Sequence, residues 1–254
     1  MASNEQSVTL LRKNKRAQVE ALNSLGFNLT EGARASQFPM MVKWASGLLD
    51  VTLAANRKGD NRKFFFTLSE WQSLSSTEQD MFLLRGVRVR ACGTSFVLAP
   101  DNIPNKAWGS KQNVPNLYVQ STKRDLYTYF NAMEETRAIA EFFEGKTADN
   151  VAGAPAAEAA LAYKVFTLER DGLEDTTQWC MPTQAHLRIC FRFRSEIETL
   201  ILAVWSAEFK FLNQIYHACQ QYDTSNSYRT SFDSGYMYTG AKTDLGVVRP
   251  ISIE

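Results

Sequence analysis

The chain has 254 residues, of which 44% are hydrophobic, so it can bury a sizeable core and is globular rather than disordered. Its 28 basic and 27 acidic residues leave a net charge of +1, which excludes bulk electrostatic attraction as a route to nucleic acid or to an anionic membrane. The sequence contains neither a signal-peptide h-region nor an apolar run of about 18 residues, so we expect a protein that folds in a cytoplasm without membrane insertion.

Residues 1–55 are predicted to form a helical N-terminal anchoring segment. Apolar residues recur at helical spacing before Gly26, which suits the position just after a helix end. The basic cluster at 12–16 is most simply a solvated face, and the alternative, a nucleic-acid patch, lacks interleaved aromatic stacking partners. The stretch 38-FPMMVKWASGLLDVTLA-54 predicts a helix followed by a strand, and its Met and Trp content suits docking to another protein.

Residues 56–120 are predicted to form a small α+β unit that ends in a linker. The run 62-RKFFFTL-68 has strand composition, and 75-SSTEQDMFLLRG-86 predicts a short helix that opens with a Ser75/Glu78 capping box and ends at the glycine. Apolar and polar residues alternate along 87-VRVRACGTSFVLAP-100, which predicts a hairpin with one buried face. The Pro-, Asn-, Gly- and Lys-rich stretch 101–116 is interpreted as a surface loop and as the main domain boundary.

Residues 121–254 are predicted to contain helices first and strands afterwards. Helices are expected over 131–145, 155–166 and 182–201, the last of them capped by Thr183. From about residue 214 onward only strands fit, with a turn at Asp233-Ser234-Gly235.

Several motifs follow one another in this last region. They are 136-TRAI-139, the small-residue helix 155-PAAEAALAY-163, Trp179 with Met181 and Pro182, Phe232 with Ser234 and Gly235, and the terminal Val248-Arg249-Pro250-Ile251. In this order they resemble the C-type-lectin-like domains at the C-termini of many bacterial surface proteins and phage receptor-binding proteins. One departure is His217-Ala218-Cys219, where that family shows Trp-Ser-Ser on a strand that ends at the ligand face.

The resemblance implies an α+β fold in which residues 121–254 form an autonomous lectin-like domain, with helices packed on a small twisted antiparallel sheet. It implies a phage virion-associated adhesin, a tail fibre or receptor-binding protein, that attaches to other virion proteins and binds a host surface glycan or protein, most simply as a homo-trimer. Three alternatives stay open: a structural capsid, tail or neck protein with a decorative lectin-like domain; a bacterial surface adhesin, for which the sequence lacks a signal peptide; and a related oxidising enzyme, for which it lacks a matching cysteine pair.

The polar segment 222-YDTSNSYRTSFDSGYMYTG-240 carries four tyrosines and almost no aliphatic residues. Some relatives of the resembled family are variable proteins rewritten by diversity-generating retroelements, which exchange this kind of residue on the C-terminal strands. Tyrosine and arginine dominate binding energy at exposed patches, as in antibody loops. The predicted ligand contacts are Tyr222, Tyr228, Arg229, Tyr236 and Tyr238, with His217 near the rim. The alternative for Tyr236 and Tyr238 is that they pack inward.

Catalysis is the minor hypothesis. The sequence contains no GxGxxG, GxxxxGK[ST], HExxH or GxSxG motif, and it offers only two histidines as general bases. We therefore predict that the protein is not an enzyme and that it holds no cofactor.

Metal binding is also disfavoured. The cysteines, which are Cys92, Cys180, Cys190 and Cys219, form no CxxC pair and suit buried reduced thiols. A zinc site could combine His186 and Cys190 with His217 and Cys219, but this spacing is not that of a known zinc module. Because Asp223, Asp233 and Asp244 are scattered, too few oxygen ligands converge for calcium, and we expect metal-independent binding.

Overall fold

The computed structural model describes residues 50–59, 62–91, 93–115, 117, 126, 129–165 and 175–254. Contacts divide the chain into two compact units, Met1–Asp50 with Arg90–Ser95, and Val51–Val89 with Phe96–Glu254. Almost all of the described residues belong to the second unit. The helices and the docking stretch predicted within residues 1–49 lie outside the described residues.

The described residues form short helices and mostly antiparallel strands, which makes the fold α+β as predicted. The strands are β1 (Asp50–Arg57), β2 (Lys63–Phe66), β3 (Phe82–Ala91), β4 (Thr94–Leu98), β5 (Ile103–Ala107), β6 (Thr147–Ala148), β7 (Val151–Ala152), β8 (Ile215–Gln221), β9 (Asn226–Ser231), β10 (Met237–Ala241), β11 (Leu245–Val248) and β12 (Ile251–Ile253). The helices are α1 (Leu68–Ser73), α2 (Ser76–Gln79), α3 (Ala132–Phe143), α4 (Pro155–Leu161), α5 (Gln184–Arg192) and α6 (Arg194–Val204), followed by a 3-10 turn at Ala207–Phe209.

The first sheet has the strand order β12-β4-β3-β1-β2, so the final strand of the chain completes a sheet built from residues 50–98. β12 pairs antiparallel with β4 and places Ile251 opposite Leu98. Gly86 allows β3 and β4 to approach closely, because a Cβ there would lie 2.1 Å from the carbonyl oxygen of Leu98. Leu83 and Trp179 belong to the buried cluster beside this sheet.

The second sheet has the strand order β10-β9-β8-β11-β5. Strands β8, β9 and β10 form an antiparallel meander, whereas β11 runs parallel to β8 and antiparallel to β5. Helices α3 and α4 bury Ile139, Phe143 and three alanines against Trp108 and Val248 in one hydrophobic cluster. The alanines of α4 present little side-chain bulk, so this helix can pack close to β5.

The predicted domain boundary at 101–116 is wrong. This stretch contributes strand β5, whose partner is β11 near the C-terminus. Trp108 follows the strand and is fully buried, with its indole N–H donating to the carbonyl oxygen of Ala218 at 2.9 Å. Pro and Asn at 104–105 suit an edge strand, because such a strand needs hydrogen bonds on one side only.

The local helix signals are confirmed at their starts and are wrong at two of their ends. Ser75 and Glu78 form the predicted capping box, but the helix stops at Gln79 because Phe82 begins β3 and packs edgewise on the rings of Phe64 and Phe66. Thr183 caps α5 as predicted, but the expected single helix over 182–201 breaks at Phe193 into α5 and α6.

The motif residues around Trp179 meet the terminal strand directly. Cys180 and Ile251 exchange two backbone hydrogen bonds, each of 2.9 Å, and the Ala99 N–H donates to the carbonyl oxygen of Pro250 at 2.9 Å. Residues from before position 121 and from the C-terminus therefore share backbone pairs, which contradicts an autonomous domain over 121–254.

We expect a fragment of residues 121–254 to melt without a cooperative transition, whereas residues 50–254 should melt cooperatively. The shorter fragment lacks β4 and β5 and loses Trp108 from its core. The loss of one buried tryptophan side chain alone destabilises a domain by about 3–5 kcal/mol, which is comparable to a typical total stability. Thermal melts followed by circular dichroism check this, and a sharp transition of the 121–254 fragment would contradict it.

Candidate ligand-binding surface

The β8-β9-β10 meander aligns three of the predicted contact residues in one cross-strand row. Arg229 on β9 lies opposite His217 on β8 and opposite Tyr238 on β10. Residues that are directly opposite each other in neighbouring strands share a face of the sheet, so these three side chains are neighbours.

Arg229 is a buried fastening group. Its guanidinium donates to the carbonyl oxygen of Ala241, and its Nη1 lies 3.4 Å from Oδ2 of Asp244. Burial lowers the pKa of Arg229, and Asp244 opposes that shift. A Cβ on Gly240 would lie 3.0 Å from the guanidinium carbon, so the small residue makes room for it. Arg229 therefore ties β9 to the turn between β10 and β11.

His217 is also buried and neutral, which corrects the prediction that it lies near an exposed rim. Burial lowers the pKa of His217 to about 3, with a further contribution from Arg229. Its Nε2 lies 2.9 Å from the carbonyl oxygen of Lys106, which can only accept, so the neutral ring carries its proton on Nε2. A Cβ on Gly246 would lie 2.7 Å from that nitrogen. The histidine therefore fills the space above a glycine on β11.

Tyr222 and Tyr228 lie together at the turn between β8 and β9. Tyr228 is only 7% exposed and its ring packs edgewise on that of Tyr222, which is 48% exposed, with the centroids 5.5 Å apart. The carboxylate of Asp223 fixes this turn by accepting the N–H groups of Ser225 at 2.8 Å and Asn226 at 2.7 Å. Burial raises the pKa of Asp223, but these hydrogen bonds outweigh it and the net pKa is lowered.

Tyr236 lies at the opposite end of the meander, beyond the turn at Asp233–Gly235. It is 75% exposed, which is the largest exposure among the big apolar and aromatic side chains of the described residues. Gly235 has φ of +73°, and a Cβ there would lie 2.3 Å from the ring of Phe191, so the turn requires glycine for both reasons. Tyr238 is half-buried, and burial raises its pKa.

The six predicted contacts therefore do not form one patch. Tyr222, Tyr236 and Tyr238 reach solvent, whereas Tyr228, Arg229 and His217 are buried, and their expected exposure is wrong. Strand β9 separates the two turns and spans about 17 Å at the usual rise per residue, so Tyr222 and Tyr236 can contact a ligand only at separate points.

The candidate zinc ligands do not converge. His186 is fully buried, its Nδ1 accepts the N–H of Thr183 at 3.2 Å, and the rings of Phe96 and Phe130 pack edgewise against it. Burial lowers the pKa of His186 to about 3 and raises the pKa of Cys190 to about 12. Within the part of the chain that the structure describes, no three His, Cys, Asp or Glu side chains are placed to hold a metal ion.

A buried lysine supports the turn from below, and no sequence signal indicated it. Lys242 donates from Nζ to the carbonyl oxygen of Gln112 at 2.6 Å and to Oε1 of Gln221 at 3.0 Å, and the ammonium lies 4.8 Å from the ring centroid of Trp108. Burial lowers the pKa of Lys242 to about 8, and Asp223 opposes the shift. The residue follows β10 in a polar turn, where a solvated lysine would be the ordinary expectation.

Comparisons with known proteins give little overlap. No family model matches the chain, and no curated protein matches it. A solved structure of a fimbrial protein from Bacteroides ovatus is similar to it at 13% identity and a TM-score of 0.43, over 65% of this chain and 36% of the fimbrial chain. The chain thus spans about a third of the length of that protein. Among the helices that the structure describes, none is long and apolar enough to cross a membrane.

We expect the free energy of unfolding to fall as the pH drops from 7.0 to 5.5. Both histidines have a folded-state pKa of about 3, against an ordinary value of 6.5 in the unfolded chain. In that window the unfolded chain binds more protons than the folded one, so stability rises with pH and is lost as the pH falls. Each histidine contributes up to about 1.4 kcal/mol per pH unit. Urea titrations across this range measure the slope.

A His217→Gln variant supplies the control, because a glutamine amide can still donate toward Lys106 but does not titrate. Its slope should be about half that of the parent chain. An equal slope in the two proteins would show that His217 does not titrate on unfolding in this way.

Proposed function

We propose that this protein is an adhesin-class binding protein of the C-type-lectin-like type, which contacts its ligand through tyrosines on the turns of the second sheet. The observation that carries this proposal is the exposure of Tyr222 and Tyr236, at 48% and 75%, on turns that buried groups hold in place. Tyrosine gives a large contact area at a small loss of conformational entropy, and a rigid turn keeps that loss small.

The buried titratable groups support binding rather than catalysis. Both histidines have a pKa of about 3, and the thiols of Cys180 and Cys190 have a pKa of about 12. A general base or a thiolate nucleophile works best with a pKa near neutrality and with access to the substrate. These side chains have neither property, so they serve the core and leave the surface to act by contact.

The lectin-like assignment is supported by how the motif residues meet. Pro182 accepts the N–H of Cys219 at 2.9 Å, and Cys180 pairs with Ile251, so the helix start, the β8 strand and the terminal strand meet at one place. This arrangement gives the resemblance a physical basis, because the motifs that suggested it are in mutual contact. The lectin-like unit would begin by β5, before the predicted residue 121, since β5 pairs with β11.

The ligand in this proposal is a glycan or a protein on a host cell surface, and the protein is carried on a phage virion as a trimer. These assignments rest on the resemblance. Two small contact points about 17 Å apart give a weak single site, and several copies on one particle would convert weak contacts into strong attachment by raising the effective concentration.

We expect Tyr222→Ala and Tyr236→Ala to weaken adsorption to host cells by roughly 1–4 kcal/mol each without a change in melting temperature. Their side chains project into solvent, so their removal leaves the packing almost intact. Cell-binding assays with purified protein, run beside thermal melts, measure both quantities for each variant.

The matched variants are Tyr228→Ala and Arg229→Ala, which change the same residue types in buried positions. They should lower the melting temperature, because truncation leaves a cavity beside Tyr222 or unpaired groups at Ala241. Equal adsorption by the parent chain and by both exposed-tyrosine variants would overturn the proposed binding surface.

A further inference from the structure

A polar pocket of about 380 Å³ opens on the first sheet, away from the tyrosines. Its polar lining includes Asn56, Lys63, Arg85, Thr177, Gln178 and Ser252, drawn from β1, β2, β3, β12 and the segment before Trp179. Pockets of this volume hold small molecules, and a few convergent polar groups usually fix the orientation of the ligand.

Two cations in this pocket meet on one carboxylate oxygen. Arg85 is 1% exposed, and its Nη2 lies 2.9 Å from Oε1 of Glu254. Lys63 reaches the same oxygen at 3.5 Å, and its side chain is 53% exposed, which places it at the mouth of the pocket. A guanidinium that is removed from water needs an anionic partner, so the pocket has a built position for a carboxylate.

The remaining polar groups suit hydroxyls. Within the described part of the chain, the buried Oδ1 of Asn56 and the Nε of Arg85 have no hydrogen-bond partner, which leaves one acceptor and one donor unused. Arg137 donates to Oε1 of Gln178 at 3.1 Å, so the amide NH2 of Gln178 is left to donate. Asn56 lies directly opposite Lys63 across β1 and β2, so the unused acceptor is next to the carboxylate position.

We propose that this pocket binds a small hydroxylated carboxylate, of the uronic-acid class of sugars, and that the Glu254 side chain occupies the carboxylate position when no ligand is bound. The carboxylate of the ligand would take the place of Oε1 of Glu254 between Arg85 and Lys63. Its hydroxyls would donate to Asn56 and accept from Gln178. This site is independent of the proposed tyrosine surface, which lies on the second sheet.

The test is calorimetric titration of the full chain with glucuronate, with glucose and inorganic phosphate as the neutral and the ring-free probes. Glu254→Gln should bind glucuronate about tenfold more tightly, as expected if the resident carboxylate occupies the position about nine-tenths of the time. Lys63→Gln, a change at a half-exposed position, should weaken binding several-fold. Glu144→Gln is the matched control, because it removes one negative charge from an exposed position outside the pocket.

The outcomes separate clearly. Tighter glucuronate binding by Glu254→Gln but not by Glu144→Gln, together with weaker binding of glucose and phosphate, would support the proposal. Equal affinities for glucuronate and glucose would overturn the carboxylate position, and phosphate binding as tight as that of glucuronate would overturn the role of the hydroxyls. A Glu254→Gln affinity no higher than that of Glu144→Gln would show that the Glu254–Arg85 pair is only structural. Loss of the tyrosine-dependent adsorption would leave this result unchanged.

Discussion

The crossing of the chain between two sheets at Val248–Ile251 is the constraint on which the rest of the structure depends. β11 lies inside the second sheet and β12 at the edge of the first, with Arg249 and Pro250 between them. Arg249 is fully buried, donates to the carbonyl oxygen of Phe209 at 2.9 Å and lies 5.0 Å from the ring centroid of Phe211. Burial lowers its pKa, and Tyr216, Tyr163 and Asp101 oppose that shift. Because two sheets share these few residues, neither sheet can be completed without the end of the chain.

Buried amide groups carry this constraint outward to the turns. Oε1 of Gln220 accepts the N–H of Gln184 at 2.7 Å at the start of α5, and Oε1 of Gln184 accepts the hydroxyl of Thr230 on β9 at 2.6 Å. Oε1 of Gln221 accepts the N–H of Val114 at 3.1 Å. A buried polar group that lost its partner would cost about 1–3 kcal/mol, so this network favours one register of the meander over a slipped one. The turns at its two ends are rigid for that reason.

Signals that act within one turn of the chain could be predicted from the sequence, whereas those that depend on distant partners could not. Ser75 with Glu78 and Thr183 with the start of α5 are local hydrogen-bonding patterns, and both are present. The strand at Ile103–Ala107 has no such signal, since its identity comes from β11 more than a hundred residues later. The burial of Arg229 and His217 was missed for the same reason. Each sits beside a glycine on a neighbouring strand, and alternation along a single strand does not reveal that space.

The row from His217 through Arg229 to Tyr238 explains how such a sheet can separate stability from recognition. Its buried members are held by Gly246 and Gly240, so a larger residue at either glycine collides with a side chain that is already fixed. Exposure rises along the row, from a buried histidine to a half-buried tyrosine, and reaches its maximum at Tyr236 beyond the end of the strand. Substitutions at the exposed end alter contact area without altering packing, whereas substitutions at the buried end alter both. A surface that must change its ligand while keeping its fold would therefore vary at the turns and conserve the glycines beneath them.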